Sequence, residues 1–188
     1  MTLRPLPKIV VPVAVELLSG WLARLANFNH CDLVDLLTHV GIDGRYVDVL
    51  DFGLEESAAV RIAAVARADF ELVQSLTISA VTLLEAELTA QVPFQKCPVC
   101  SVHGVVLKHW RRVWNVDCLM CGTQLIPNMT RPDMVKPSTK ILGRARIGAR
   151  LLEGAVKDNN VRQVHRAMRG VAFAVAVARY HGSSLAAL

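Results

Sequence analysis

Apolar residues recur at helical spacing along the first part of the chain, and this pattern predicts short amphipathic helices. The segment ELLSGWLARLANFN (16–29) places its large apolar residues on one helical face. That face comprises Leu17, Leu18, Trp21, Leu22 and Leu25. The segment DLVDLLTHVG (32–41) repeats the pattern, with Asp32 and Asp35 suited to its first turn and Gly41 to its end. Its apolar face comprises Leu33, Leu36, Leu37 and Val40.

Helical patterns continue beyond these two segments. The further predicted helices comprise LEESAAVRIAAVAR (54–67), DFELVQSL (69–76), ISAVTLLEAELTAQV (78–92), KILGRARIGARLLEGAVK (140–157) and VRQVHRAMRGVAFAVAVARY (161–180). Asp69 is a plausible cap of the second of these, and Asn160, with Gln163 three residues on, can cap the last. The apolar face of the last helix comprises Val161, Val164, Met168, Val171 and Val175. Because aromatic residues make up only 5% of the chain, its core must consist mostly of Leu, Val and Ala, so the predicted fold class is mainly α.

Four of the five cysteines lie in one short segment and form two CxxC pairs. Cys97 pairs with Cys100 and Cys118 pairs with Cys121, with 17 residues between the pairs. Two such turns, or knuckles, can complete the tetrahedron that Zn²⁺ takes in closed structural sites, and the spacing suits this geometry. Disulfides are disfavoured in a reducing cytosol, and a redox CxxC needs a βαβ setting that the pattern lacks. We therefore predict one structural Zn²⁺ held by these four cysteines, and Cys31 as a buried small hydrophobe.

The residues between the knuckles predict a zinc ribbon. VVLKHW (105–110) and RVWNV (112–116) are patterned as two short strands. His103 and His109 are alternative ligands or, more simply, surface histidines. Trp110 and Trp114 are expected to shield the metal or pack on the helices, with base stacking as the alternative. The predicted domains are an N-terminal helical domain (1–92), a zinc ribbon (93–128) and a basic C-terminal helical region (129–188).

The net charge of +5 hides an uneven distribution. Residues 1–107 carry a net charge of −5 and residues 108–188 carry +10, which favours a phosphate backbone or an acidic partner for the C-terminal part. A solvated surface is the simpler explanation of charge alone. The first two helices, joined by NFNH (27–30), resemble a helix-turn-helix. Because a recognition helix should be basic at its exposed positions and this region is acidic, structural packing is the preferred interpretation.

Two classes of function are disfavoured by the sequence. The longest apolar runs fall far short of the roughly 18 residues that span a bilayer, and no signal-peptide pattern opens the chain, so we expect a cytoplasmic protein without a membrane partner. No catalytic motif emerges either, and the acidic residues form no paired arrangement that would hold two metal ions. The protein is therefore predicted not to be an enzyme.

The order of these parts resembles the TniQ family of transposition proteins, which includes TnsD-type target selectors. That family opens with a proline-rich entry and a helix of the form SxxSWLxRLAxxN, to which LLSGWLARLANFN (17–29) is similar. IAAVARADFELVQSLTI (62–78) resembles the LAxxTGLxxxxLxxLTL element, and CPVC, HWRRVWNV and CLMCGTQL resemble its zinc segment. Two departures are that Cys121 stands where the family usually has histidine, and that VPVAVELLSGW (11–21) lacks the usual Pro-Gly-Glu-Ser entry.

The resemblance implies a non-catalytic adaptor for target-site selection. Family members contact DNA or a target-bound complex and recruit an AAA+ ATPase of the TniB/TnsC type that loads the transposase. Some short members work with CRISPR effector complexes, for which the residues here give no sign. In this interpretation the acidic N-terminal helices face the ATPase and basic side chains meet DNA phosphates. These candidate contacts comprise Arg111, Arg112, Arg131, Lys136, Lys140, Arg144, Arg146 and Arg150.

Three other classes remain open on the sequence alone. A zinc-ribbon and helix-turn-helix transcriptional regulator would bind one short operator tightly without an ATPase. A metal-dependent nuclease or recombinase would depend on a few acidic residues. A protein-only scaffold would use the basic half to bind an acidic partner.

Overall fold

A computed structural model of the chain describes residues 3–47, 49–79, 82–128 and 138–168. The chain divides into two compact units. The first comprises Met1–Ala80 and Thr89–Arg131, and the second comprises Val81–Leu88 and Pro132–Leu188. Within the first unit, we refer to residues 3–79 as the helical head and to residues 89–128 as the cysteine segment.

The described residues are mainly helical, as the sequence predicts. The head contains α1 (Leu18–Phe28), α2 (Leu33–His39), α3 (Glu56–Ala66) and α4 (Phe70–Ser75). A short 3-10 helix, Gly44–Tyr46, follows α2. The second unit contains α5 (Leu83–Glu87), α6 (Thr139–Lys157) and α7 over residues 161–168. Pairwise packing joins α1 to α2, α3 to α4 and α5 to α6.

The head is built around the apolar faces that helical spacing predicts. Leu18, Trp21, Leu22 and Leu25 of α1 are buried together with Leu36, Leu37 and Val40 around α2. From α3 and α4 the same core receives Ile62, Val65 and Val73. Burying a side chain of this size contributes about 1.5–3 kcal/mol each, so this aliphatic cluster is the main source of the head's stability. α1 and α2 pack on each other in this core, as the preferred structural interpretation requires, and their likeness to a helix-turn-helix stays a prediction.

The residues predicted to begin and end α2 and α4 lie at the expected positions, although not all of them make the expected contacts. Gly41 follows α2 with a φ of +71°, a left-handed conformation that glycine adopts without the cost of a Cβ. Asp32 and Asp69 occupy the N-cap positions of α2 and α4, although neither side chain makes a capping hydrogen bond. Cys31 is half-buried against the head's core, so its predicted packing role is correct, although its burial is only partial.

The proline-rich entry runs along the head in an extended conformation. Asn29, at the end of α1, forms two hydrogen bonds with Lys8 of this segment. The Lys8 amide donates to Asn29 Oδ1 and Asn29 Nδ2 donates to the Lys8 carbonyl, both at 3.0 Å. Trp21 Nε1 donates to the carbonyl of Val10 at 2.7 Å. Trp21 and Asn29 thus position the entry segment.

Two secondary-structure predictions are wrong. Instead of strands at 105–110 and 112–116, the cysteine segment has a 3-10 turn, Lys108–Arg111, and a two-residue antiparallel pairing between β1 (Gln95–Lys96) and β2 (Ile126–Pro127). The backbone of residues 106–108 is instead hydrogen-bonded to the start of α1, which leaves it no partner strand within the segment. The helix predicted over 78–92 is reduced to Leu83–Glu87, because Thr89 pairs with Arg112 in an isolated bridge.

The two predicted C-terminal helices are confirmed where the structure describes them. α6 covers the predicted basic helix, and the Asn160 side chain caps α7 by accepting from the Gln163 amide at 3.1 Å. Val164 is buried, whereas Val161 and Met168 are exposed, so the predicted apolar face is only partly covered. Val171 and Val175 lie outside the described residues. None of the helices that the structure describes is both long enough and apolar enough to cross a membrane.

Candidate metal centre and basic helix

The first knuckle is a tight turn that folds back on Cys97. The Cys100 amide donates to Cys97 Sγ at 3.4 Å, and the Ser101 amide donates to the Cys97 carbonyl at 3.0 Å. Residues 100–103 form a 3-10 turn that ends at Gly104, whose φ of +71° reverses the chain. Amide hydrogen bonds of this kind orient a sulfur and favour its thiolate form.

The second knuckle repeats this arrangement. The Gly122 amide donates to the Cys118 carbonyl at 2.8 Å, and Gly122 adopts a φ of +72°. The Cys118 amide donates to the Thr123 carbonyl at 2.8 Å, which closes the turn. Two CxxC turns, each followed by a glycine in the left-handed region, therefore present their sulfurs toward each other.

The four sulfurs lie at the distances that one tetrahedral ion requires. Sγ atoms are separated by 3.4 Å between Cys97 and Cys121, 3.6 Å between Cys100 and Cys121, and 3.8 Å between Cys100 and Cys118. All four lie within 4.8 Å of one another. Zn–S bonds of about 2.3 Å place neighbouring sulfurs about 3.8 Å apart, whereas a disulfide needs about 2.05 Å. The four cysteines can hold one metal ion.

The protonation of the sulfurs follows from their surroundings. Burial raises the pKa of the Cys97 and Cys100 thiols. Cys121 is exposed, and hydrogen bonding to the hydroxyl and amide of Thr123 lowers its pKa to about 6. A divalent cation would favour the thiolate at every position, because metal ligation requires deprotonated sulfur. Uptake of the metal would therefore release protons.

The buried side chain of His109 supports the second knuckle through a hydrogen bond. Its ring is 1% exposed, and Nε2 accepts a hydrogen bond from the Leu119 amide at 3.1 Å. Desolvation, with a smaller contribution from the charge of Arg112, lowers the His109 pKa to about 4, so the ring is neutral at pH 7 with its proton on Nδ1. The prediction of a surface histidine is wrong for His109. His103 is exposed and lies outside the four-sulfur cluster.

The tryptophans of the cysteine segment are buried. Trp110 packs with Cys97, Cys118 and Leu107 in a small apolar cluster, and Trp114 is nearly as inaccessible. The expected packing role is confirmed for Trp110, and the burial of both rings excludes base stacking in this conformation. The guanidinium of Arg112 lies 5.7 Å from the centre of the Trp114 ring, a cation–π distance.

The structure corrects one of the predicted phosphate contacts. Arg111 is completely buried and forms an ion pair with Asp51 of the head, while its guanidinium also donates to the carbonyl of Gln91. A side chain enclosed in this way cannot reach a phosphate backbone. Its positive charge is neutralised inside the protein, so Arg111 stabilises the fold instead of contacting DNA.

The remaining basic candidates lie mainly on α6. Lys140, Arg144, Arg146 and Arg150 are exposed there, and Arg112 is half-buried. At 100° per residue, Arg146, Arg150 and Lys140 lie on the side of the helix that faces away from the buried residues Leu152, Ala155 and Val156, whereas Arg144 lies at the edge of that side, next to Ala155. Ile147 and Leu151 lie among the arginines, 55% and 63% exposed. Arg131 and Lys136 lie outside the described residues.

Two buried carboxylates were not singled out from the sequence. Glu16 is buried and accepts from Arg24 Nε and Nη2 at 2.8 and 2.7 Å and from the Val13 amide at 2.8 Å. Asp51 is buried and accepts from the Ser19 amide and hydroxyl. For Glu16, the only local sequence signal is its position just before a strongly amphipathic helix. For Asp51 no local signal exists, because its partners lie far away along the chain.

Compared with known proteins, the chain matches no family model and no curated protein sequence. The structure and the residues themselves therefore carry the functional conclusion.

Proposed function

We propose that this protein is a zinc-stabilised, non-catalytic adaptor in DNA transposition. In this proposal one structural Zn²⁺ occupies the cluster of Cys97, Cys100, Cys118 and Cys121, the basic side of α6 binds the DNA backbone, and the helical head contacts an AAA+ ATPase. The observation that carries the proposal is the four-sulfur cluster, joined in one unit to a head whose α1 resembles the TniQ-family helix.

The cluster supports a structural role for the metal. Four thiolates fill the tetrahedral coordination of Zn²⁺, so no position is left for a water molecule or substrate. The cysteine segment has only two-residue strands, two 3-10 turns and a small apolar cluster of its own, and a bound ion would supply the missing stability.

Charge supports the assignment of the two partner surfaces. The head's buried acids, Glu16 and Asp51, are paired with arginines, so the acidic character of its surface comes from other residues. Those exposed acids begin α2, α3 and α4 and comprise Asp32, Asp35, Glu55, Glu56, Asp69 and Glu71. Such a surface disfavours DNA and suits a basic protein surface, whereas α6 presents the opposite charge.

The DNA half of the proposal is tested by mobility shift at rising salt with the full chain. We expect weakly sequence-dependent binding that falls steeply with salt, and Arg144→Ala should reduce the slope of log K against log salt by about 1. Arg45→Ala is the matched control, because Arg45 is an exposed arginine of the head, outside α6, and is paired with Asp43 at 2.6 Å. Tight binding to one short sequence would favour a transcriptional regulator, and the absence of DNA binding would favour a protein-only scaffold.

The partner half is tested by pull-down with the AAA+ ATPase, transposase and other neighbours of a transposition system, with and without DNA. We expect selective capture of the ATPase by the wild-type protein. Reversal of the head's charge at Asp35→Lys and Glu71→Lys should reduce capture, whereas the same charge change at the exposed Asp158→Lys, which follows α6 outside the head, should not. No capture of an ATPase under any condition would overturn the adaptor assignment.

A further inference from the structure

The 3-10 turn Lys108–Arg111 has three consecutive buried side chains, of which two contact the knuckles and one contacts the head. His109 accepts a hydrogen bond from the Leu119 amide of the second knuckle at 3.1 Å. Trp110 packs against Cys97 and Cys118. Arg111 crosses to the head and pairs with Asp51, and all three side chains are buried. The turn therefore touches both the metal cluster and the head.

On the head's side, Asp51 gathers three further connections. Its carboxylate accepts from the Ser19 amide at 2.8 Å and from the Ser19 hydroxyl at 2.6 Å, in the first turn of α1. Its backbone carbonyl accepts from the Ile78 amide at 2.6 Å, just after α4. One buried acid thus joins α1, the end of the α4 region and, through Arg111, the cysteine segment.

Backbone hydrogen bonds also connect the turn to the residues that lead into α1. The Leu17 amide donates to the Val106 carbonyl at 2.8 Å, and the Lys108 amide donates to the Val15 carbonyl at 2.9 Å. Gly20 provides the space for this approach, since a Cβ added there would lie 2.8 Å from Val106 Cβ. A shift of the second knuckle would therefore be transmitted to α1 through packed and hydrogen-bonded groups.

We propose that metal occupancy of the cysteine cluster controls the order of the start of α1 through His109, Arg111 and Asp51. With the ion bound, the second knuckle holds His109, and Arg111 keeps Asp51 against Ser19. Loss of the ion frees the knuckle, weakens the hold on the turn and releases the first turn of α1 together with the Ile78 segment. The inference rests on the proposed zinc site and adds a regulatory consequence: partner binding by the head depends on metal loading.

Hydrogen–deuterium exchange of the full chain, with zinc bound and after chelation, tests this connection. We expect chelation to raise exchange at least tenfold in residues 95–127, and also in residues 17–22 and 76–78 of the head. A rise confined to the cysteine segment, with zinc shown to be bound beforehand, would overturn the inference and leave the proposed function standing. Protein that folds fully without binding zinc would instead overturn both the zinc site and the inference.

Variants at His109 test the route, because they keep all four cysteines. His109→Leu removes the acceptor for the Leu119 amide, whereas the amide oxygen of His109→Gln can replace it. We expect the leucine variant to bind zinc at least tenfold more weakly in competition with a chelator, as is typical when a supporting contact is lost. In this variant, the exchange rates of residues 17–22 in the zinc-free and the zinc-saturated protein should differ by less than threefold. The glutamine variant should keep both values close to wild type, and an unchanged ratio of these rates in His109→Leu would overturn the proposed route.

Discussion

The helical head and the cysteine segment share one compact unit, yet they are stabilised in different ways. The head buries a contiguous set of leucine, isoleucine, valine and alanine side chains on four helices. The cysteine segment has a small apolar cluster, a two-residue sheet and four sulfurs within 4.8 Å of one another. Burial of apolar side chains is therefore the main source of stability in the head, whereas the segment depends chiefly on a bound ion and on its contacts with the head.

The largest expected effect comes from removing one ligand sulfur. Cys97→Ser should abolish stoichiometric metal binding and unfold the cysteine segment, because ion binding contributes on the order of 10 kcal/mol to folding in zinc-finger peptides. Elemental analysis and near-ultraviolet circular dichroism measure the two effects. Cys31→Ser is the matched control, since Cys31 lies outside the cluster and should leave one ion per chain. A Cys97→Ser protein with wild-type thermal stability would contradict a structural metal.

The next effect concerns the buried ion pair that joins the two regions. Arg111→Ala leaves Asp51 buried without its cation, and breaking a buried pair in this way costs about 3–5 kcal/mol of unfolding free energy. Urea denaturation checks the value. Arg45→Ala removes an exposed pair with Asp43 and should change the unfolding free energy far less, because exposed pairs are screened by water. Equal losses in the two variants would show that the Arg111 pair does not hold the regions together.

The pH dependence of stability separates the regions further. The unfolded His109 titrates near 6.5 and the folded one near 4, so between these values the unfolded state binds more protons and stability falls as the pH is lowered. At pH 5 the loss from this residue is about 2 kcal/mol relative to pH 7.5. Because His109→Gln keeps every cysteine, the difference between its denaturation midpoints and those of the wild type across this range isolates His109. Parallel pH profiles of the two proteins would contradict the lowered pKa of His109 in the folded state.

Local periodicity predicted the head well, because the residues of an amphipathic helix that become buried are spaced by the helix itself. The faces through Leu22 and Leu37 are an example, and both residues are buried as expected. The paired CxxC spacing likewise predicted the sulfur cluster, since each knuckle is a local turn.

Long-range partners explain what the sequence could not predict. Arg111 is a cationic side chain in a basic segment, which suits a phosphate contact. Its partner Asp51 lies 60 residues earlier in the chain, so no local sequence pattern indicates the pairing. The pattern of residues 105–110 suits a strand, yet its backbone bonds are made with the entry to α1. In both cases a tertiary contact between the two regions overrides the local pattern.

The smallest effect probes how closely the two regions approach each other. Gly20→Ala should destabilise the protein by about 1 kcal/mol or more, even though alanine favours helices, because the new Cβ would meet Val106 Cβ at 2.8 Å. Gly148→Ala in α6 is the matched control: a Cβ there has no atom within 4 Å, so the substitution should stabilise the protein by about 0.5–1 kcal/mol. Thermal melting of the zinc-loaded proteins measures both signs. A stabilising Gly20→Ala would mean that α1 and the cysteine segment can separate at no cost, so the segment would not depend on its contacts with the head.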